Sequence, residues 1–159
     1  MMEDDEIVSG YVRHVDRVPV FPPSASREEL PSVLTVDQSA ENDDCFWAWE
    51  AVTELIGSDP ERAWRLLLSA LARCAPGHEH IIGAGPLEEL LGLHPRRFAA
   101  RAADEVVHNS RFRDAFQVIR FSTEFTTVED ANFFTDTFRS SGVPSELLPE
   151  WRVAESDES

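Results

Sequence analysis

The run from Ser58 to Leu71 constrains the fold more than any other stretch of the chain. A capping side chain, a first-turn proline and an early carboxylate, Ser58-Asp59-Pro60-Glu61, announce a helix. Trp64, Leu67, Leu68 and Leu71 follow at i, i+3, i+4 and i+7, which puts them on one apolar face. The same punctuation recurs downstream. Pro86 opens a short helix with Leu87, Leu90 and Leu91 inward, and His94-Pro95 opens another striped by Phe98, Ala102, Val106 and Val107. A further helix from about Ser110 presents Phe112, Phe116 and Ile119. Upstream, Phe46, Trp47, Trp49, Ala51, Val52 and Leu55 predict a largely buried helix from Asp44 to Ile56, stopped by Gly57.

No stretch shows the period-two alternation of a half-buried strand. The expected fold is therefore all-α, an irregular or orthogonal bundle of short antiparallel helix pairs. A short HEAT-like helical array is the alternative, but no sequence repeat of roughly 30–45 residues supports a solenoid.

The flanks differ from this middle. Ile7, Val8, Tyr11, Val12, Val15 and Val18 predict a helix over residues 7–18, ended by Pro19. Pro19 to Asp44, with four prolines among serines and acids, reads as a long loop with room for one helical turn near Arg27 to Leu34. After Phe121 the chain turns acidic and aromatic. A helix is expected from about Val128 to Ser140, closed by Gly142 and Pro144, with a disordered acidic tail from about Ala154. Four segments result: 1–44 acidic and proline-rich, 45–121 the helical core, 122–153 an acidic aromatic extension, and 154–159 a tail.

Charge follows the same division. The net charge is -16, from 30 acids and 14 bases. Residues 1–44 hold 11 acids and 3 bases, residues 45–121 hold 10 and 9, and residues 122–159 hold 9 and 2. Such a chain repels phosphate backbones and anionic lipid surfaces, which argues against nucleic acid or membrane as a direct partner and for a basic protein. Every base is arginine, a bias that points to a GC-rich genome and a bacterial source. No apolar run approaches the roughly 18–20 residues of a membrane span, and the acidic amino terminus is unlike a signal peptide, so a cytoplasmic protein is expected. Cys45 and Cys74, far apart and outside any CxxC spacing, read as reduced, buried thiols.

Four short motifs then occur in order: Phe46-Trp47-Ala48-Trp49-Glu50, Asp59-Pro60-Glu61-Arg62-Ala63-Trp64, Ala84-Gly85-Pro86-Leu87-Glu88 and Arg111-Phe112-Arg113. Over residues 45–121 this series resembles an uncharacterised bacterial family of unknown function with an Ala-Gly-Pro-Leu-Glu signature and an upstream Asp-Pro-Glu-x-Ala-Trp motif. The resemblance implies a helix-rich domain and marks Trp47, Trp49, Asp59, Pro60, Trp64, Gly85, Pro86, Leu87, Glu88 and Phe112 as family positions. The residues after Phe121 look like an addition to that domain.

Each candidate site has a plain structural alternative. A helix amino terminus at Gly85–Glu88 suits an anion, or else Gly85 caps the helix and Glu88 satisfies its N–H groups. His78-Glu79-His80 with His94, Glu105 or His108 offers metal-ligand types, but neither an HExxH spacing nor a complete ligand set is present. Glu105 to His108 is one Glu-x-x-His element where a di-iron bundle needs two. No Gly-x-Ser-x-Gly elbow or phosphate-cradling loop occurs, and no cofactor or metal is implied. Trp47 and Trp49 lie about 200° apart around a helix, so only one can face the core.

The acidic aromatic extension is the expected binding surface, through Glu124, Phe125, Glu129, Asp130, Phe133, Asp136 and Trp151. Phenylalanines supply contact area while carboxylates steer a basic partner. The alternative is that Phe134 and Phe138 close the core and the carboxylates only solvate it. The expected function is a non-enzymatic protein-binding module, immunity-like or antitoxin-like, with a regulatory or structural subunit and a metal-dependent enzyme as alternatives.

Overall fold

The computed structural model describes residues 3–17, 45–123 and 126–152. The predicted loop from Pro19 to Asp44, Glu124, Phe125 and the predicted tail lie outside them. The fold class is all-α, a helical bundle. Contacts divide the chain into two compact units, Met1–His78 and Glu79–Ser159, so the division falls within the 45–121 segment.

In the first unit α1 (Asp4–Asp16), α2 (Phe46–Ser58) and α3 (Pro60–Arg73) each pack on the other two. Helix α1 starts ahead of the predicted Ile7, because Asp4, Asp5 and Glu6 complement the positive end of its dipole. Ile7, Val8, Tyr11 and Val15 are its buried stripe.

Two expectations for α2 are corrected. Gly57 does not stop it: the helix runs to Ser58, and its end is set by Asp59 at φ -147, ψ 74. Proline at position 60 disfavours helical backbone for the residue before it, so the boundary belongs to Asp59-Pro60. Nor is the helix largely buried. Ala48, Val52 and Ile56 face inward, while Trp49 is 38% exposed. Asp59 then caps α3 by accepting the Arg62 N–H at 3.2 Å. Trp64, Leu67 and Leu71 are buried as predicted, joined by Leu66, with Leu68 left at the margin. Cys45 and Cys74 are buried and not disulfide-bonded.

In the second unit α4 (Glu79–Ile82) passes through a wide turn at Gly83–Leu87 into α5 (Glu88–Leu93), followed by α6 (Pro95–His108) and α7 (Ser110–Phe116). Gly85 leaves helical backbone at φ -114, ψ -107, and Pro86 restarts the helix as predicted. Gly83 is required by crowding, because a Cβ there would overlap the Ala115 carbonyl of α7. Helix α8 (Val128–Ser140) has the predicted bounds and is closed by Gly142 at φ +78. It packs on α6 and buries Phe134 and Phe138 completely. These rings join Phe116 and Phe121, with Phe116 5.2 Å from Phe138 and Phe121 5.3 Å from Phe134. Two short strands that the sequence does not announce, β1 (Phe121–Ser122) and β2 (Trp151–Arg152), pair in parallel with Phe121 opposite Trp151.

A candidate ligand cavity and an acidic helix face

The Arg-Phe-Arg motif is structural. Arg111 Nε donates to Glu79 Oε1 at 2.9 Å, tying α7 to the start of α4, and Phe112 is fully buried. Arg113 donates to the Val106 and Val107 carbonyls at 2.9 Å each, capping the last turn of α6. In the first unit, Trp64 is core and Trp47 lies against Gly10, where a Cβ would come 2.8 Å from the ring. Trp49 turns outward and stacks on Phe46 at 5.2 Å.

Glu88 does not cap its own helix, in contrast to the structural expectation for it. Its Oε1 accepts the backbone N–H of Arg120 at 2.9 Å and so holds the approach to β1 against α5. A second tether comes from Thr126, a buried residue whose hydroxyl donates to the Gly92 carbonyl at 2.7 Å. A third fixes Trp151, whose Nε1 donates to Thr135 Oγ1 on α8 at 3.0 Å while its ring lies 4.8 Å from Phe121. Between these tethers opens a cavity of about 620 Å³ lined by Gly85, Glu88, Glu89, Gly92, Leu93, Arg120, Phe121, Ser122, Thr126 and Trp151. That volume lies in the range of small-molecule sites, and its wall is mainly apolar with a few polar groups.

The predicted binding residues are divided among different places. Glu124 and Phe125 lie outside the described residues. Glu129, Asp130 and Phe133 gather on one guanidinium: Arg96 bonds Asp130 at 2.5 Å, lies 3.5 Å from Glu129 and sits 4.6 Å from the centre of the Phe133 ring. Asp136 is exposed and pairs with Arg139 one turn on. Trp151 lines the cavity. Arg96, Gly83, Thr126 and Arg120 escaped sequence reasoning. Arg96 carries no signal beyond following His94-Pro95, and the others act through residues distant in the chain.

In the histidine-rich stretch and among its candidate co-ligands, His78, Glu79, Glu105 and His108 each have partners of their own. His78 Nδ1 lies 3.4 Å from Asp16 Oδ1. Glu79 is committed to Arg111, Glu105 accepts from Asn109 Nδ2 at 2.9 Å, and His108 Nδ1 sits 3.0 Å from the Asp104 carbonyl. Among the described residues no three His, Cys, Asp or Glu side chains are grouped to hold a metal ion. No described helix is long and apolar enough to cross a membrane.

These features define an all-α protein with a ligand-sized cavity in its second unit and an acidic aromatic face on α8. The chain belongs to a family of unknown function, DUF6869, whose model matches residues 35–126. The match spans the Ala84–Glu88 segment and ends before α8, so Trp151 is contributed from beyond it. No curated protein and no solved structure matches the chain.

Proposed function

We propose that the protein is a non-enzymatic binding module, bacterial and immunity-like or antitoxin-like, whose acidic α8 face engages a basic partner protein. One observation supports it above the others. Glu129, Asp130 and the Phe133 ring already clasp a guanidinium, that of Arg96, so this face has the chemistry to accept a partner's arginine. Phe133 is 40% exposed and the neighbouring Asp136 faces solvent. Arg96 stands in for the partner's cation and competes with it.

The test immobilises wild-type protein and a Glu129→Gln/Asp136→Asn variant and exposes both to lysate of the source organism at low and high salt. The wild type should retain a basic protein that salt releases, and the variant should bind it roughly tenfold more weakly. Arg96→Ala should tighten the same interaction by removing the internal competitor. Equal retention by wild type and double variant overturns the proposal.

A further inference from the structure

The cavity beside α5 is built from different residues than the clasp on α8, and it has its own chemistry. Its apolar side is the Phe121 and Trp151 ring pair with Leu93. Leu93 is 49% exposed, a large apolar side chain left partly open at a cavity wall. The polar side carries two carboxylates against one guanidinium. Glu88 spends one oxygen on the Arg120 N–H, and Glu89 has no hydrogen bond or ion pair among the described residues. Thr126 adds a hydroxyl oxygen that can still accept.

We infer that this cavity is a binding site for a small amphipathic amine. An aromatic or branched aliphatic body would lie on Trp151, Phe121 and Leu93, with its ammonium turned toward Glu88 and Glu89. Three considerations select a cation. The carboxylates outnumber the guanidinium, the face of an indole attracts positive charge, and the surplus of acid across the chain raises the local concentration of cations. The apolar majority of the wall selects an amphipathic molecule over a bare ion. The three tethers hold the walls in place through Glu88, Thr126 and Trp151, so the site requires little rearrangement to fill.

The experiment titrates the full chain with two probes of matched shape and opposite charge, phenethylamine and 3-phenylpropionate, followed by proton–nitrogen correlation spectra. The Trp151 indole resonance, assigned with Trp151→Phe, and the Gly92 and Ser122 amides are the readout. Phenethylamine should shift them saturably and bind at least roughly tenfold more tightly than the acid, a difference of about 1.4 kcal/mol. Glu89→Gln, a surface change that leaves the fold intact, should weaken the amine roughly fivefold, and Leu93→Gln should weaken it independently. Arg120→Gln should leave it unchanged or tighten it. Preference for the acid, or no saturable shift from either probe, overturns the inference. Neither result bears on the α8 clasp, whose residues are untouched.

Discussion

Tyr11 is the only tyrosine in the chain, and it is buried on α1. Burial holds its phenol proton far more tightly than in water, and negative charge at Cys74 adds to the effect. The folded state therefore keeps a proton that the unfolded state releases above about pH 10. Stability is unaffected by this group below that pH. It falls as pH rises further, by about 1.4 kcal/mol per unit while the native phenol stays protonated. With one tyrosine the test is direct: tyrosinate absorbance at 295 nm should appear only as helical circular dichroism is lost. In Tyr11→Phe this contribution to the alkaline slope should vanish. A phenolate signal that develops while the helices persist would contradict the assignment. A second residue-scale expectation concerns Asp59, whose side chain caps α3. Asp59→Ala should lower unfolding stability by about 1 kcal/mol in denaturant titration, and Asp59→Asn should restore most of it.

At the scale of elements, Gly83 decides how closely α4 and α7 approach. A methyl group there would meet the Ala115 backbone, which cannot step aside as a side chain would. Gly83→Ala should therefore cost about 1–3 kcal/mol despite alanine's better helix propensity, measured by the same titration. Gly85, two residues on, has open space around its absent side chain, so crowding does not explain it. The pattern shows what a sequence can and cannot reveal. Helix α8 was legible because local signals mark its end, a left-handed Gly142 with Pro144 two residues on. Gly57 misled because a glycine only permits a stop, whereas the proline at position 60 acts on the backbone of Asp59. The cavity was not legible at all. Glu88 reaches a backbone N–H 32 positions away and Thr126 a carbonyl 34 positions away, pairings that no local period encodes. Two of its lining residues, Gly85 and Glu88, do belong to the Ala-Gly-Pro-Leu-Glu segment.

For the whole molecule, the surplus of acid sets two responses to salt with opposite signs. The exposed ion pairs, such as Arg73 with Asp5 and Arg139 with Asp136, are each worth only about 0.2–1 kcal/mol. Their atoms lie 3.0 and 3.3 Å apart, well inside the screening length at any physiological salt concentration. Repulsion among the excess carboxylates acts over longer distances. It is cut back as the Debye length falls from about 30 Å at 0.01 M to about 8 Å at 0.15 M. Screening thus removes more repulsion than attraction, and the thermal midpoint should rise with sodium chloride. If the relief is about 1 kcal/mol, the rise is roughly 2–4 °C for a chain of this size. Binding of a basic partner to the α8 face should weaken over the same interval, because there the long-range attraction is what salt screens. Measuring both along one salt series separates the two effects. A midpoint that falls with salt would mean that ion pairs outweigh repulsion in the fold, and binding that ignores salt would move the partner's contact away from Glu129 and Asp136.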